Sequence, residues 1–297
     1  MMTAVWGPGH IEWFEKACIR SLCWPKNNAS LKQATWHLFT RPQDEEKVKK
    51  AVEKVGVKQI RIHHLPSQLE GMPRQMGLIL LDVFKFVIKD CLETNAQLLT
   101  APPDTIFSEG TIPNLINLAK FGDTCVAVPH PRVNASVFGS IKDDPVSSKE
   151  LVRLAFKHQH KAWSSSEIGA DNQGTFVGGI AWQKVQDNLW AVQHMLPTLY
   201  LCSFTQTDWI FFNQRFDDDG SERVYGAFDH LWPSELVREQ RQRTPGSSDA
   251  CCIVEVTKEE LNVPQKVQSN PLEPDAFWRG ALHNRMNRQY LYMMSGE

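Results

Sequence analysis

Over roughly the first 130 residues, short apolar runs alternate with amphipathic stretches, the pattern of strands separated by helices. Thr3-Ala-Val-Trp-Gly7 reads as a strand, and His10 to about Leu22 as a helix. Trp36-His-Leu-Phe-Thr40 predicts a second strand, after which Asp44 and the charged run Glu45 to Lys50 predict the cap and solvated face of a helix. Ile60 and Ile62, alternating with Gln59 and Arg61, predict a third strand. From Pro73 onward Met76, Ile79, Leu80, Val83, Phe84, Val87 and Cys91 recur every three or four residues and share one helix face. Gln97 to Thr100 is a short strand entering the loop Ala101-Pro-Pro-Asp-Thr-Ile-Phe-Ser-Glu-Gly110. Ile112, Leu115, Ile116 and Ala119 then lie on one helix face that closes near Gly122, and Thr124-Cys-Val-Ala-Val128 is the next strand. This order predicts an α/β fold with a mostly parallel sheet flanked by helices. Ligands in such folds sit at the carboxyl ends of the strands, so the loop after residue 100 is where chemistry is expected.

The second half is less regular, with Asp143-Asp-Pro145, Gly169 to Gly179, Asp217-Asp-Asp-Gly220 and Thr244-Pro-Gly-Ser247 as punctuation. Ser147 and Glu150 form a capping box that opens a helix through about Ala162, and Cys251 to Val256 predicts a late strand. The last 25 or so residues, with Trp278, Arg279, Arg285, Arg288 and Tyr290, read as a docking tail or a cover.

Composition narrows the function. The 297 residues carry 32 Lys+Arg against 34 Asp+Glu, a net charge of −2, which excludes a protein that coats nucleic acid through a broad basic excess. No run of about 18 uncharged apolar residues and no secretory signal is present, so a cytoplasmic protein without a membrane span is expected. Seven cysteines, mostly within apolar stretches and with no C-x-x-C pair, predict reduced, buried thiols.

Several catalytic signatures are missing: no G-x-S-x-G elbow, no phosphate-binding G-x-x-x-x-G-K-[ST] loop, no G-x-G-x-x-G and no H-E-x-x-H. His63 and His64 point to opposite faces of a strand, and His158 and His160 diverge by about 200° on a helix, so neither pair chelates locally. His158 reads as structural, on a face with Leu151, Leu154 and Ala155. His64, beside Pro66 at a strand's end, suits function and structure equally. Asp104 follows a strand and two prolines that stiffen the loop, and Ser108 and Glu109 follow closely. Taken alone it is a turn residue before a helix, or a ligand for Mg²⁺ or Mn²⁺, which want one or two carboxylates plus phosphate oxygens and water. Gly226-Ala-Phe-Asp229-His230-Leu-Trp-Pro233 sets a carboxylate and an imidazole among aromatics, which suits sugar or base stacking with proton abstraction, or packing. Arg238, Arg241 and Arg243 form the compact basic stretch, which reads as a solvated helix face or, together with the C-terminal arginines, as a contact for phosphate or a polyanionic acceptor, the first being favoured.

In combination and order, these segments resemble a family of bacterial and phage glycosyltransferases. The likeness is carried by Val5-Trp-Gly7, Glu12 to Phe14, Ser21-Leu-Cys-Trp-Pro-Lys-Asn27 and Trp36-His-Leu-Phe-Thr40, then Pro103-Asp-Thr-Ile-Phe-Ser-Glu-Gly110 and Gly226-Ala-Phe-Asp229-His230. The resemblance implies a nucleotide-sugar transferase of the A fold type (GT-A). Residues 1–140 would form the Rossmann-like, nucleotide-sugar-binding half. Residues 141–297 would form the acceptor-side half with a C-terminal tail, within one continuous catalytic domain. It implies that Asp104 holds the donor diphosphate through Mn²⁺ or Mg²⁺, at a position where Pro102-Pro103-Asp104 keeps only the last carboxylate of the family's Asp-x-Asp. Trp6 and Gly7 would approach the nucleotide, with Glu109 and His64 as further donor-binding candidates. Asp229 would be the base for the acceptor hydroxyl and His230 a metal ligand or phosphate contact. The acceptor would be a surface glycan or a hydroxymethylated pyrimidine in phage DNA. The alternatives are a non-catalytic nucleotide- or glycan-binding protein of the same fold, and an interaction protein whose ten tryptophans serve packing and a partner surface.

Overall fold

A computed structural model describes residues 1–66, 73–120, 124–167, 180–194, 198–214, 232–258 and 290–295. It is a mixed α/β structure. Its strands are β1 (Met2–Ala4), β2 (Thr35–Thr40), β3 (Gln59–His64), β4 (Leu98–Leu99), β5 (Thr105–Phe107), β6 (Cys125–Ala127) and β7 (Arg132–Val133), followed by β8 (Ile180–Gln186), β9 (Leu189–His194), β10 (Leu199–Cys202), β11 (Gln242–Arg243), β12 (Ile253–Val256) and β13 (Tyr290–Met294).

β1, β2 and β3 form a parallel sheet in the order β1-β2-β3, and a second sheet runs β11-β6-β10-β4. A parallel bridge from Met2 to Thr100, with the Ala101 N–H donating to the Met2 carbonyl at 3.0 Å, joins the two. The continuous order is therefore β3-β2-β1-β4-β10-β6-β11, with β4 at the centre. The expectation of a mostly parallel sheet needs one correction. β10 runs antiparallel to both neighbours, because it returns from the second half of the chain rather than through a crossover helix.

Side chains alternate across the sheet. Along β2, Trp36 and Leu38 enter one apolar core with Phe14, Val48 and Ile112, whereas Phe39 enters a second core with Val87, Ile88 and Phe212. The helix Pro73–Thr94 buries Val83, Val87 and Cys91 of the expected face, with Ile79 and Phe84 partly buried, and also Leu81 and Ile88, which the three-and-four spacing did not include. Ser147 caps the helix Ser148–Lys157 as expected, accepting from the Glu150 N–H at 3.3 Å.

Three expectations shift. The helix read as His10 to Leu22 begins at Pro8, and its middle, Phe14–Ile19, is a π-turn that carries Phe14, Ala17 and Cys18 into the core. The helix opened by Ser147 ends at Lys157, short of Ala162, because His158 leaves helical geometry and its ring is held between the Ser136 and Ser140 hydroxyls. Asp44 does not cap its helix; its carboxylate accepts from the Gly7 N–H and from Arg41 Nε, both at 2.9 Å.

A small sheet, β5-β12-β7, stands beside the main one and was not foreseen at β5, which lies within the expected loop. Glu255 of β12 pairs antiparallel with Thr105 and parallel with Arg132. β8, β9 and β13 form an antiparallel sheet in the order β13-β9-β8. β10, β11 and β12 thus pair with strands from the first 133 residues. Among the described residues no helix is long and apolar enough to cross a membrane.

Candidate active site

The chain leaves β4 through Ala101-Pro102-Pro103-Asp104, closed by the Thr105 N–H donating to the Pro102 carbonyl at 3.3 Å. Both prolines fix φ, and the Asp104 carbonyl accepts from the Val256 N–H at 2.8 Å, so β12 clamps the loop. A second stiff exit, Val128-Pro129-His130-Pro131-Arg132, leaves β6 and leads into β7. The two loops and β12 bring Asp104, His130, Arg132 and Glu255 together, with the Tyr200 ring of β10 beneath.

His130 is 3% exposed, and its Nε2 lies 2.9 Å from Glu255 Oε2. Its Nδ1 lies 3.3 Å from both the Val128 carbonyl and the Tyr200 hydroxyl. Glu255 Oε1 accepts from the Thr257 hydroxyl at 3.1 Å and lies 3.5 Å from Arg132 Nε. Burial opposes ionisation of Glu255, but the His130 hydrogen bond and charge, with Arg132 and Thr257, outweigh it and hold this carboxyl well below the usual range. Asp104 goes the other way. Burial, then the charge of Glu255, push its carboxyl up to about 7 against the opposing pull of His130 and Arg132. Among the described residues it takes a hydrogen bond only from its own backbone N–H. Near neutral pH, therefore, one carboxylate of the pair is charged and the other is poised between states, as suits a group that exchanges a proton or a cation. Burial raises the Tyr200 phenol well above its ordinary value, so it stays neutral.

The other candidates lie in different places. Trp6 and Gly7 follow β1, the strand beside the one that Asp104 leaves; Gly7 adopts φ 77°, and its N–H is taken by Asp44. Trp6 meets the His10 ring edge-on at 6.4 Å, and burial followed by the charge of Lys258 lowers the His10 pKa, which places this rim near the end of β12. Glu109 sits beyond the far end of β5, where Oε1 accepts from the Lys26 N–H at 3.0 Å and Oε2 is buried without a partner. It anchors the start of the helix Pro25–Leu31 and does not join Asp104. His64, exposed at the end of β3, lies 2.7 Å from Glu45 Oε2, and β2 and β1 separate its strand from β4. As expected, His63 faces the other way, stacked on Phe39 at 4.6 Å. Asp229 and His230 lie outside the described residues, as do Gly178 and Gly179.

The basic stretch departs from a solvated face at Arg241. Its guanidinium binds Asp208 through Nη1 at 2.9 Å and Nη2 at 2.7 Å. Arg238 pairs with Glu235 and Glu239. All seven cysteines are free thiols, and Cys23 alone is not buried.

His130, Arg132, Tyr200 and Glu255 were not singled out in the sequence, although three of them left a trace. Pro-His-Pro-Arg repeats the stiff strand exit of Pro-Pro-Asp, and Glu255 is the one charge in the apolar run Cys251 to Val256. Among the described residues no group of three or more His, Cys, Asp or Glu is arranged to hold a metal ion. Asp104 nevertheless fits a hard cation bound mainly by substrate oxygens and water: it is an oxygen donor without a competing side-chain partner, beside a second carboxylate. Compared with family models and with curated proteins, the chain matches none.

Proposed function

We propose that the protein transfers a sugar from a nucleotide diphosphate donor to a hydroxyl acceptor, in a GT-A-like fold, with Asp104 anchoring the diphosphate through Mg²⁺ or Mn²⁺. One observation carries this reading: the carboxylate at the exit of the central strand has no side-chain partner among the described residues, whereas its neighbour Glu255 is fully engaged. When bound, the cation would supply Lewis-acid stabilisation of the charge developing on the leaving nucleotide. The chain's own residues do the rest. Pro102 and Pro103, with the clamp from β12, hold Asp104 so that little freedom is lost on binding. Glu255, kept ionised by His130, keeps the cleft attractive to a cation. Trp6, on the rim with His10, offers a ring face to the nucleotide. Asp229 as base for the acceptor hydroxyl and His230 as a further ligand rest on the sequence resemblance.

A surface glycan is the favoured acceptor over modified DNA. Of Arg238, Arg241, Arg243 and the C-terminal arginines, which phosphate contacts would use, Arg238 and Arg241 are already paired with Glu235, Glu239 and Asp208. Seven free thiols fit a reducing compartment, the cytoplasm.

The test is a thermal-shift panel of nucleoside diphosphates and nucleotide sugars with Mn²⁺, Mg²⁺ or chelator, paired with a turnover assay. A ligand at 100 times its dissociation constant stabilises by about 2.7 kcal/mol. A cation-dependent shift lost in Asp104→Asn is expected. Full turnover by a folded Asp104→Asn protein overturns the role of Asp104, and donor binding without turnover in the wild type indicates the binding protein instead.

A further inference from the structure

Among the described residues, Arg132 is a guanidinium without a hydrogen-bond acceptor. Its side chain is 25% exposed, and its Nε is buried with no hydrogen-bond partner; the Glu255 oxygen 3.5 Å away makes an ion pair without a hydrogen bond. Arg132 contributes its charge to Glu255 but no hydrogen bond, since His130 and Thr257 already serve the two oxygens. Among the described residues the terminal nitrogens of Arg132 donate to nothing either. The contrast with other arginines is clear: Arg41, Arg61, Arg153, Arg238 and Arg241 each donate to a carboxylate, and Arg20 donates to a carbonyl. A guanidinium presents five donors in a planar fork that matches two oxygens of a phosphate; of those of Arg132, Nε is buried and unmet, a cost that an anion bound by the fork would recover. The position is also fixed, because Pro131 precedes it and its backbone lies in β7 against β12. Lys258, exposed just beyond β12, adds a second positive charge on the same rim, felt at His10.

We propose that Arg132 is a phosphate-binding residue of this site, its fork taking two oxygens of the donor diphosphate while Asp104 faces the cation on the same group. This rests on the donor reading above and adds a contact that does not require the cation. Inorganic pyrophosphate is the probe, titrated calorimetrically at fixed ionic strength into the full chain, with Mn²⁺ and separately with chelator. In Arg132→Gln, pyrophosphate affinity is expected to fall about tenfold or more under both conditions, the effect of losing a charge-assisted pair of hydrogen bonds. Arg132→Lys keeps the charge without the fork, so it should recover part of the affinity and shows that the loss is not misfolding. Asp104→Asn should weaken binding in Mn²⁺ only. Wild-type affinity in both Arg132 variants overturns the proposal, and the donor reading survives if Asp104→Asn still abolishes the Mn²⁺-dependent part. No pyrophosphate binding by the wild type under either condition overturns both.

Discussion

Two aspartates of one sheet, Asp104 in the loop after β4 and half-buried, Asp208 beyond the end of the antiparallel β10 and buried, have opposite environments. Asp208 receives the Thr205 N–H and hydroxyl at 2.7 and 2.9 Å, the Trp232 indole at 2.7 Å and both terminal nitrogens of Arg241. Every lone pair has a donor, and although burial opposes ionisation, these bonds hold its carboxyl below the usual range. Asp104 has its own backbone N–H and a neighbouring negative charge, and its carboxyl is pushed up to about 7. The arginines mirror the acids, Arg241 saturated and Arg132 open. A closed polar network spends its charges on the fold; an open one is stable only because the scaffold holds it there, and its groups remain available to a ligand.

The largest effect should come from opening the closed site. Asp208→Ala strands Arg241 beside Trp232 and removes the reciprocal cap at the helix Gln206–Gln214, and about 3–5 kcal/mol of stability is expected to be lost in urea unfolding at pH 7. Because the folded pKa of Asp208 is depressed, its contribution is present above the ordinary carboxylate value and is lost as pH falls below it. Wild type and variant should converge in strong acid. No change at neutral pH would mean that the two aspartates do not differ in the way described.

A middle effect, of opposite sign, is expected at the open site. The folded pKa of Asp104 is raised from 3.8 to about 7, so the native state binds the extra proton between those values and stability declines as pH rises through 7. Asp104→Asn removes this penalty. It should nearly match the wild type near pH 4 and exceed it at pH 8, where the difference has levelled off, by up to about 4 kcal/mol, measured by calorimetry. A variant less stable than wild type at pH 8 would show that the carboxylate is a structural group after all. The smallest effect is expected from Arg238→Ala, whose partners lie at the surface and whose side chain is 53% exposed: about 0.5 kcal/mol or less. A larger loss would place Arg238 with Arg241 in the closed network.

The strand exits were legible because they depend on local chemistry. Trp36 to Thr40, Gln59 to Ile62 and the Pro73 helix follow from period and propensity, and Asp104 was found because two prolines after an apolar strand mark a stiff loop. Its partners were not found, because β5, β7 and β12 are short and acquire their structure by pairing. Thr105 meets Glu255 across 150 residues of chain, a contact that no window of sequence contains. Glu109, near Asp104 in sequence, lies at the other end of β5 and serves the Lys26 helix, so sequence proximity misled there. Asp44 looked like a helix cap and is instead tied to Gly7 and Arg41.

The sequence by itself determined the alternation of strand and helix, the capping box at Ser147 and the stiff loop that carries Asp104. Those features arise within a few residues, from side-chain period, fixed φ angles and local hydrogen bonds. Only the tertiary structure decided that β10 runs against its neighbours, that Glu255 and His130 stand beside Asp104, and which arginine is spent and which is left open. The reason is physical: a carboxylate's charge state and a guanidinium's vacancy depend on burial and on partners brought from distant strands, and neither is a property of the residue or its neighbours in the chain.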